Sequence, residues 1–595
     1  MENINNNFEN TNLYQNNLFI KTKDSSREEF KKINEEHYLT LRKKRNNKHI
    51  NHIKNLNLAQ NHFSYNIDIN FIINNIRNEE IYLKYKNSES EIEKLNYLMQ
   101  MIIAKNNNML KYGLFELKKY LSNIKDKKVF ESKNLLNYFN EKMFRFLFEL
   151  LFKKNDAYLN LEEYYQIMIL LCNIISNLCE LNDFYSKILL EYFPDLLLII
   201  KNEGDIQIQN AIYIVNSKIL LIKNIDENDL IKLSQIYQNF FENVYNQLIY
   251  LNNESNNNQN IFNLKELFPT LLNIISTIIY NNNQIIINII NNSNINIPKL
   301  LHISSFINKY ITSSFMETDI LKSSLNFLSA FLNFYKLNKN LFNKENDYKF
   351  REIMKKIEIE KHIILYVYDN STNDFEFRNE IIELINNLIL LNSTDFINNL
   401  IKNGISEQIS NIQDYLLEYD NNNSNTDENI NMKILYNSHI ELIYNLISTQ
   451  SENAIKDLCI ENECISNLFK LINSSKFCFN NNNSKILEIF DLIIKSNTEF
   501  VISSLLTEGI YDLYKNILFN CNNNELIEMI LNDIAIMIEK GKSIKTSSRI
   551  NFVSNHFIQN GIFDLIDNIK AKTEFNEKIN YLLDEIQNLL KEKTS

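Results

Sequence analysis

Apolar residues recur at three- and four-residue intervals in segment after segment of this chain: LLCNIISNLCE at 170–180, LLNIISTIIYN at 271–281, IIELINNLILL at 381–391 and HIELIYNLIST at 439–449. That spacing lines them along a helix. A second kind of segment opens on a Gly: KYGLFELKKYL at 111–121, NGISEQISNI at 403–412, EGIYDLYKNIL at 508–518 and NGIFDLIDNI at 560–569. In each, the Gly predicts a sharp interhelical turn, because it alone takes left-handed backbone angles without strain. Only 6 Gly and 3 Pro interrupt the 595 residues. Strands and hairpins need more breakers than that, so the predicted class is all-α.

The pattern repeats. Gly509 and Gly561 are about 52 residues apart, and a degenerate copy, ECISNLFKLI, opens at Cys464, about 45 residues before Gly509. A period of that size belongs to solenoids of paired or triple helices. The asparagine tracts at 253–260, 421–424 and 480–483 read as loops lengthened at small thermodynamic expense. The enrichment in Asn, Ile, Lys, Phe and Tyr, with no Trp, matches AT-rich codon usage and needs no functional cause.

Charge changes the picture at one place. The chain carries a formal net charge of -11, yet residues 41–55 read LRKKRNNKHINHIKN, with no acid among them. The window 21–56 is about +6 and the remainder about -17. As a helix, 37–54 sets Arg42, Arg45, His49 and His52 on one side, flanked by Lys43, Lys44 and Lys48. Such a helix suits a partner with an acidic inner surface; a solvated tail and a nucleic-acid patch are the other readings. The acidic remainder argues against nucleic acid, since it repels phosphate.

Other chemistry is sparse. GKS at 541–543 has the ending of a phosphate loop, but Ile536 stands where that motif needs Gly. His49 and His52 lie in a basic run that repels cations, and Cys459 and Cys464 lack a second pair at zinc spacing. The expectation is no catalytic residue, metal or cofactor. The six Cys form no dense framework, the N-terminus has no apolar signal core, and no uninterrupted apolar run is long enough for a membrane span. These features predict a reducing compartment and no membrane.

In order along the chain, the segments resemble the armadillo repeats of the importin-alpha family. FELKKYLS at 115–122 looks like the first repeat, ILNDIAIMIEKGKS at 530–543 is similar to the ninth, and NGIFDLIDNI with NEKINYLLDEIQNLL at 576–590 looks like the tenth. One helix for each of repeats two to eight falls near residues 173, 213, 273, 326, 383, 441 and 488. The basic run resembles the family's importin-beta-binding segment, with Leu41, Arg42 and Lys43 matching its opening, Lys44, Arg45 and Lys48 its continuation, and Lys54 with Asn55 its close; His52 and Ile53 depart from it.

The resemblance implies an armadillo-repeat right-handed superhelical solenoid of about ten degenerate repeats over 61–595, behind a mostly disordered basic segment at 1–60. It implies a nuclear-import adaptor, shared between cytoplasm and nucleus. Its partners would be importin-beta, bound through Arg42, Lys43, Lys44, Arg45, Lys48 and Lys54, and basic nuclear-localisation peptides held in a concave groove. An export receptor would meet the last repeat, 561–591, which would cap the array through Phe563, Ile566, Ile579, Leu582, Leu583 and Ile586. The alternative is an armadillo scaffold that does not recognise nuclear signals.

In the family each third helix carries Trp-x-x-x-Asn. Here the Trp positions hold Asn173, Tyr213, Asn273, Asn326, Glu383, Glu441 and Glu488, and the Asn positions hold Asn177, Ser217, Thr277, Ala330, Asn387, Asn445 and Leu492. With no Trp, lysine sandwiches are lost and binding should weaken. The expected groove contacts are Asn173, Asn177, Tyr213, Glu383, Asn387, Glu441, Asn445 and Glu488, with the acids drawing basic peptides. Surface noise in an Asn-rich chain, and an ordinary solvated helix face, are the competing readings.

Overall fold

The computed structural model describes residues 68–591, apart from intervals between helices of which 281–295 is the longest. The basic segment, including Arg42, Lys43, Lys44, Arg45, Lys48 and Lys54, and the expected boundary at 60/61, lie outside the described residues. All regular structure among the described residues is helical. The chain divides into two compact units, 42–350 and 351–595.

The first unit holds α1 (Ile69–Ile76), α2 (Glu80–Asn87), α3 (Glu91–Ile103), α4 (Asn107–Ser122), α5 (Glu141–Phe152), α6 (Leu161–Leu181), α7 (Asp183–Asn202), α8 (Ile206–Ser217), α9 (Glu227–Glu254), α10 (Ile261–Tyr280), α11 (Asn296–Ile311) and α12 (Thr318–Leu337). α13 (Lys344–Lys355) spans the division. The second unit holds α14 (Phe375–Leu391), α15 (Thr394–Lys402), α16 (Ile405–Asn422), α17 (Thr426–Ser448), α18 (Glu452–Lys456), α19 (Cys464–Asn473), α20 (Asn482–Lys495), α21 (Glu499–Thr507), α22 (Ile510–Asn520), α23 (Asn524–Ser543), α24 (Phe552–Gln559), α25 (Ile562–Lys572) and α26 (Glu577–Lys591).

Each unit is an all-helical array built on a ladder of inner helices. In the first, α4, α6, α8, α10 and α12 pack each on the next; in the second, α14, α17, α20, α23 and α26 do the same. The helices near 173, 213, 273 and 326 are α6, α8, α10 and α12, and those near 383, 441 and 488 are α14, α17 and α20. Stacking is what stabilises such arrays, because no single repeat can bury its apolar face alone. At the C-terminal end α26 presses Ile579, Leu583, Ile586 and Leu590 inward against α23. Ile566 is buried as expected, but Leu582 is only half-buried and Phe563 is exposed, so neither is a capping contact.

Local chemistry sets the helix ends. Asp68, Ser90, Asn106, Asp205, Ser451 and Asn551 each accept a hydrogen bond from a first-turn amide, satisfying a donor that the helix leaves open. Gly404, Gly509 and Gly561 have φ of +87°, +91° and +82° and each precedes a helix. In the degenerate copy Glu463 takes the same place at φ +52°. Gly113 differs from the expected turn: it lies inside α4, where a Cβ would stand 3.0 Å from Ile102 Cγ1 and 3.1 Å from Met101 Cβ. Its role is close approach of α4 to α3.

α6 corrects another expectation. At 21 residues it is long and apolar enough to cross a membrane, although no uninterrupted run in the sequence is. In the fold it is mostly buried, packed between α4 and α8. Cys172 and Cys179 on α6, and Cys459 and Cys464, are buried free thiols. Burial pushes the Cys172, Cys179 and Cys464 thiols up to about 12, which leaves them unreactive.

Candidate interaction face on the inner helices

The two ladders treat their polar residues differently. In the first unit every residue of 166–176 on α6 and of 267–279 on α10 is buried. Asn173 is 4% exposed, Tyr213 1%, Asn273 8% and Asn326 4%. A helix apolar on all sides is covered on all sides, and these stretches carry no charged residue. Two of their polar groups bond within the fold: the Tyr213 hydroxyl donates to Asn243 Oδ1 at 2.5 Å, and Thr277 Oγ1 donates to the Asn273 carbonyl at 2.8 Å. Asn173 and Tyr213 therefore do not line an open groove. Asn177, at the end of the stretch, is half-exposed and donates to Ser122 Oγ at 3.2 Å.

In the second unit α14, α17 and α20 leave mainly one stripe accessible, and α23 and α26 are accessible more widely. The stripe runs through Glu383 and Asn387 on α14, then Asn437, Glu441, Tyr444 and Ser448 on α17. It continues through Lys485, Glu488, Asp491 and Lys495 on α20, Glu525, Glu528, Asn532 and Glu539 on α23, and Lys578, Tyr581 and Glu585 on α26. Steps of three, four or seven residues keep each set on one helical face. Side chains tie neighbouring stripes together: Lys485 pairs with Glu441 across α17 and α20, and Lys578 pairs with Glu528 at 2.5 Å across α23 and α26.

Asn445 is 3% exposed, below this surface, and donates to Asn386 Oδ1 at 3.0 Å. Asn386 in turn donates to the Ser438 carbonyl at 3.3 Å. This amide chain fixes α14 against α17 and removes Asn445 from the expected groove contacts. Of the eight expected residues, the structure brings Glu383, Asn387, Glu441 and Glu488 together on one face of one unit, leaves Asn177 half-exposed in the other, and buries Asn173, Tyr213 and Asn445.

The stripe named above carries eight carboxylates and three lysines. All three lysines are ion-paired within it: Lys485 with Glu441, Lys495 with Asp491 at 2.5 Å, and Lys578 with Glu528. The net acid repels phosphate and attracts cations. Lys485 Nζ also sits 4.9 Å over the centre of the Tyr444 ring. Reasoning from sequence missed Tyr444 and Lys485; the spacing of Glu441 to Tyr444, one helical turn, was the available signal.

No protein-family model matches the chain, and no curated protein matches it. Solved structures do resemble it. The protein in a study of a phosphorylation switch controlling the interaction between cadherin and beta-catenin is 10% identical, with 86% of this chain and 96% of that one covered and a TM-score of 0.39. Importin beta is 12% identical over 91% of this chain and 62% of its own, with a TM-score of 0.37. A SYS-1/POP-1 complex gives 11% identity, coverage of 90% and 96%, and a TM-score of 0.36. Likenesses this remote identify no ligand.

Proposed function

We propose that the chain is a helical-repeat scaffold for protein contacts that takes a basic, extended segment of a partner along the accessible stripe of α14, α17, α20, α23 and α26. The observation that carries this reading is the accessible face taken as a whole, eight carboxylates against three lysines along five successive inner helices, joined across helices by Lys485 and Lys578. A basic segment laid across them gains charge-assisted contacts at successive helices. The resemblance in sequence makes the finer reading a divergent importin-alpha-like adaptor: basic nuclear-localisation segments on this face, importin-beta on Arg42, Lys43, Lys44 and Arg45, and traffic between cytoplasm and nucleus. An export receptor at α26 belongs to the same reading. Because the chain has no Trp, each lost lysine sandwich weakens binding by roughly 0.5–2 kcal/mol, and the remaining attraction is screened by salt.

A fluorescent lysine-rich peptide titrated against the full chain at low and high salt tests this. Glu488→Lys and Glu525→Lys should each weaken binding by about tenfold, roughly 1.4 kcal/mol, and raising salt should weaken it further. Affinity no greater than that for a neutral peptide of equal length would overturn the acidic-face reading. Replacing Arg42, Lys43, Lys44 and Arg45 by Ala should abolish capture of importin-beta; undiminished capture would leave the scaffold role without the adaptor role.

A further inference from the structure

The accessible face contains a binding cradle that is already filled. Glu441 and Tyr444 stand one turn apart on α17, and the Lys485 ammonium from α20 is ion-paired to the carboxylate and 4.9 Å above the ring centre. A carboxylate beside an aromatic face is a receptor for an alkylammonium group. The chain supplies that group itself.

The first unit shows what such a triad looks like as a fixed brace. Glu242 and Tyr245 stand one turn apart on α9, with Lys299 of α11 paired to the carboxylate and 5.3 Å over the ring. There the ring hydroxyl is hydrogen-bonded to His302 Nδ1 at 2.8 Å, the carboxylate also accepts from Gln238 Nε2 at 3.0 Å, and the lysine is 17% exposed. At the second site the lysine is 26% exposed and the carboxylate 44%, and both lie on the accessible stripe beside Glu488. A half-exposed ion pair and the cation–π contact beside it hold only modestly. Lys485 can swing off its seat, as a flexible lysine stem allows.

We propose that Lys485 is an internal competitor: it occupies a lysine-sized seat made by Glu441 and Tyr444, and a lysine of a bound basic segment displaces it. This rests on the acidic-face reading for its partner but not for its test. The seat admits an alkylammonium on a straight chain; it is poorly matched to a carboxylate, which Glu441 repels, and to a neutral side chain, which cannot displace the ion pair. Lys485 thereby lowers affinity for every basic segment and sets which ones bind, since only a segment with lysine in this register recovers the lost contacts.

Two measurements on the full chain decide it. Lys485→Ala should bind the fluorescent lysine-rich peptide about three- to tenfold more tightly than wild type, the range expected when one modest ion pair and one ring contact no longer compete. Adding Tyr444→Leu should reverse the gain. Lys578→Ala removes another ion-paired lysine from the same face, one held by Glu528; an equal gain there would reduce the effect to net charge and overturn the proposal. The second measurement needs no partner. n-Butylammonium chloride should raise the melting temperature of Lys485→Ala above that in sodium chloride of equal ionic strength, and leave wild type and the Tyr444→Leu double variant unmoved. A response to n-butylammonium without peptide binding keeps the seat and sinks the acidic-face reading. Peptide binding indifferent to Lys485→Ala, with no n-butylammonium response, does the opposite.

Discussion

Replacing a helical Gly by Ala ordinarily stabilises a protein by about 1 kcal/mol, and at Gly541 the structure reverses the sign. Gly541 lies in the last turn of α23, and a Cβ placed there would stand 2.6 and 2.8 Å from Val553 Cγ2 and Cβ, with Asn551 Oδ1 closer still. Asn551 cannot simply move aside. Its Oδ1 accepts from the Ser554 amide at 3.1 Å, capping α24, and its Nδ2 donates to the Ile538 carbonyl of α23 at 2.8 Å. Overpacking of this kind costs about 1–3 kcal/mol, and loss of the cap about 1 kcal/mol more. Against the propensity gain of about 1 kcal/mol, Gly541→Ala should destabilise by roughly 1–3 kcal/mol. Circular dichroism melting of the full chain should show a lower midpoint for the α23–α26 end, and hydrogen exchange should show faster amides across 552–559. A variant as stable as wild type would refute the close-packing account.

Two further outcomes follow from buried or strained positions. His439 is fully buried on α17 and burial depresses its imidazole to about 3; the native fold therefore holds it neutral, so stability is present above the ordinary histidine range and is lost as pH falls from about 6.5 toward 3, by at most about 1.4 kcal/mol per pH unit. His439→Leu should flatten that acid slope in melting curves taken between pH 7 and 4, and an unaltered slope would assign the acid loss to other groups. Glu463 holds φ +52° where the related turns use Gly, so Glu463→Gly should stabilise by about 0.5–1 kcal/mol, the left-handed strain of a side chain less the extra freedom of Gly; a lower melting midpoint would contradict it.

The ladder was legible in the sequence because inner helices share a dense apolar period, and each position expected for repeats two to eight falls on a separate inner helix. Depth on those helices was not legible from the four-residue spacing alone. Asn173 with Asn177 and Glu441 with Asn445 have the same spacing, yet Asn173 is buried while Glu441 is half-exposed. The distinguishing signal was charge: 164–179, 267–279 and 323–335 contain none, whereas α14, α17, α20 and α23 place Glu on the stripe. The Lys485–Glu441 pair joins residues 44 apart in sequence, and only packing of α20 on α17 creates it. Gly113 looked like the turn glycines because it too precedes an apolar run; its neighbours Met101 and Ile102 on α3 come from tertiary contact.

The three asparagine tracts fall at corresponding places. The tract at 253–260 starts in the last residues of α9 and precedes α10, that at 421–424 starts at the end of α16 and precedes α17, and that at 480–483 runs into the first turn of α20. Each adjoins or enters an inner helix: α10, α17 and α20. Doubling the length of a loop costs only about 0.6 kcal/mol, so a junction of this kind tolerates added residues. The tracts at 253–260 and 421–424, which stop short of α10 and α17, are the places to splice in a reporter or an affinity tag while keeping the inner helices intact.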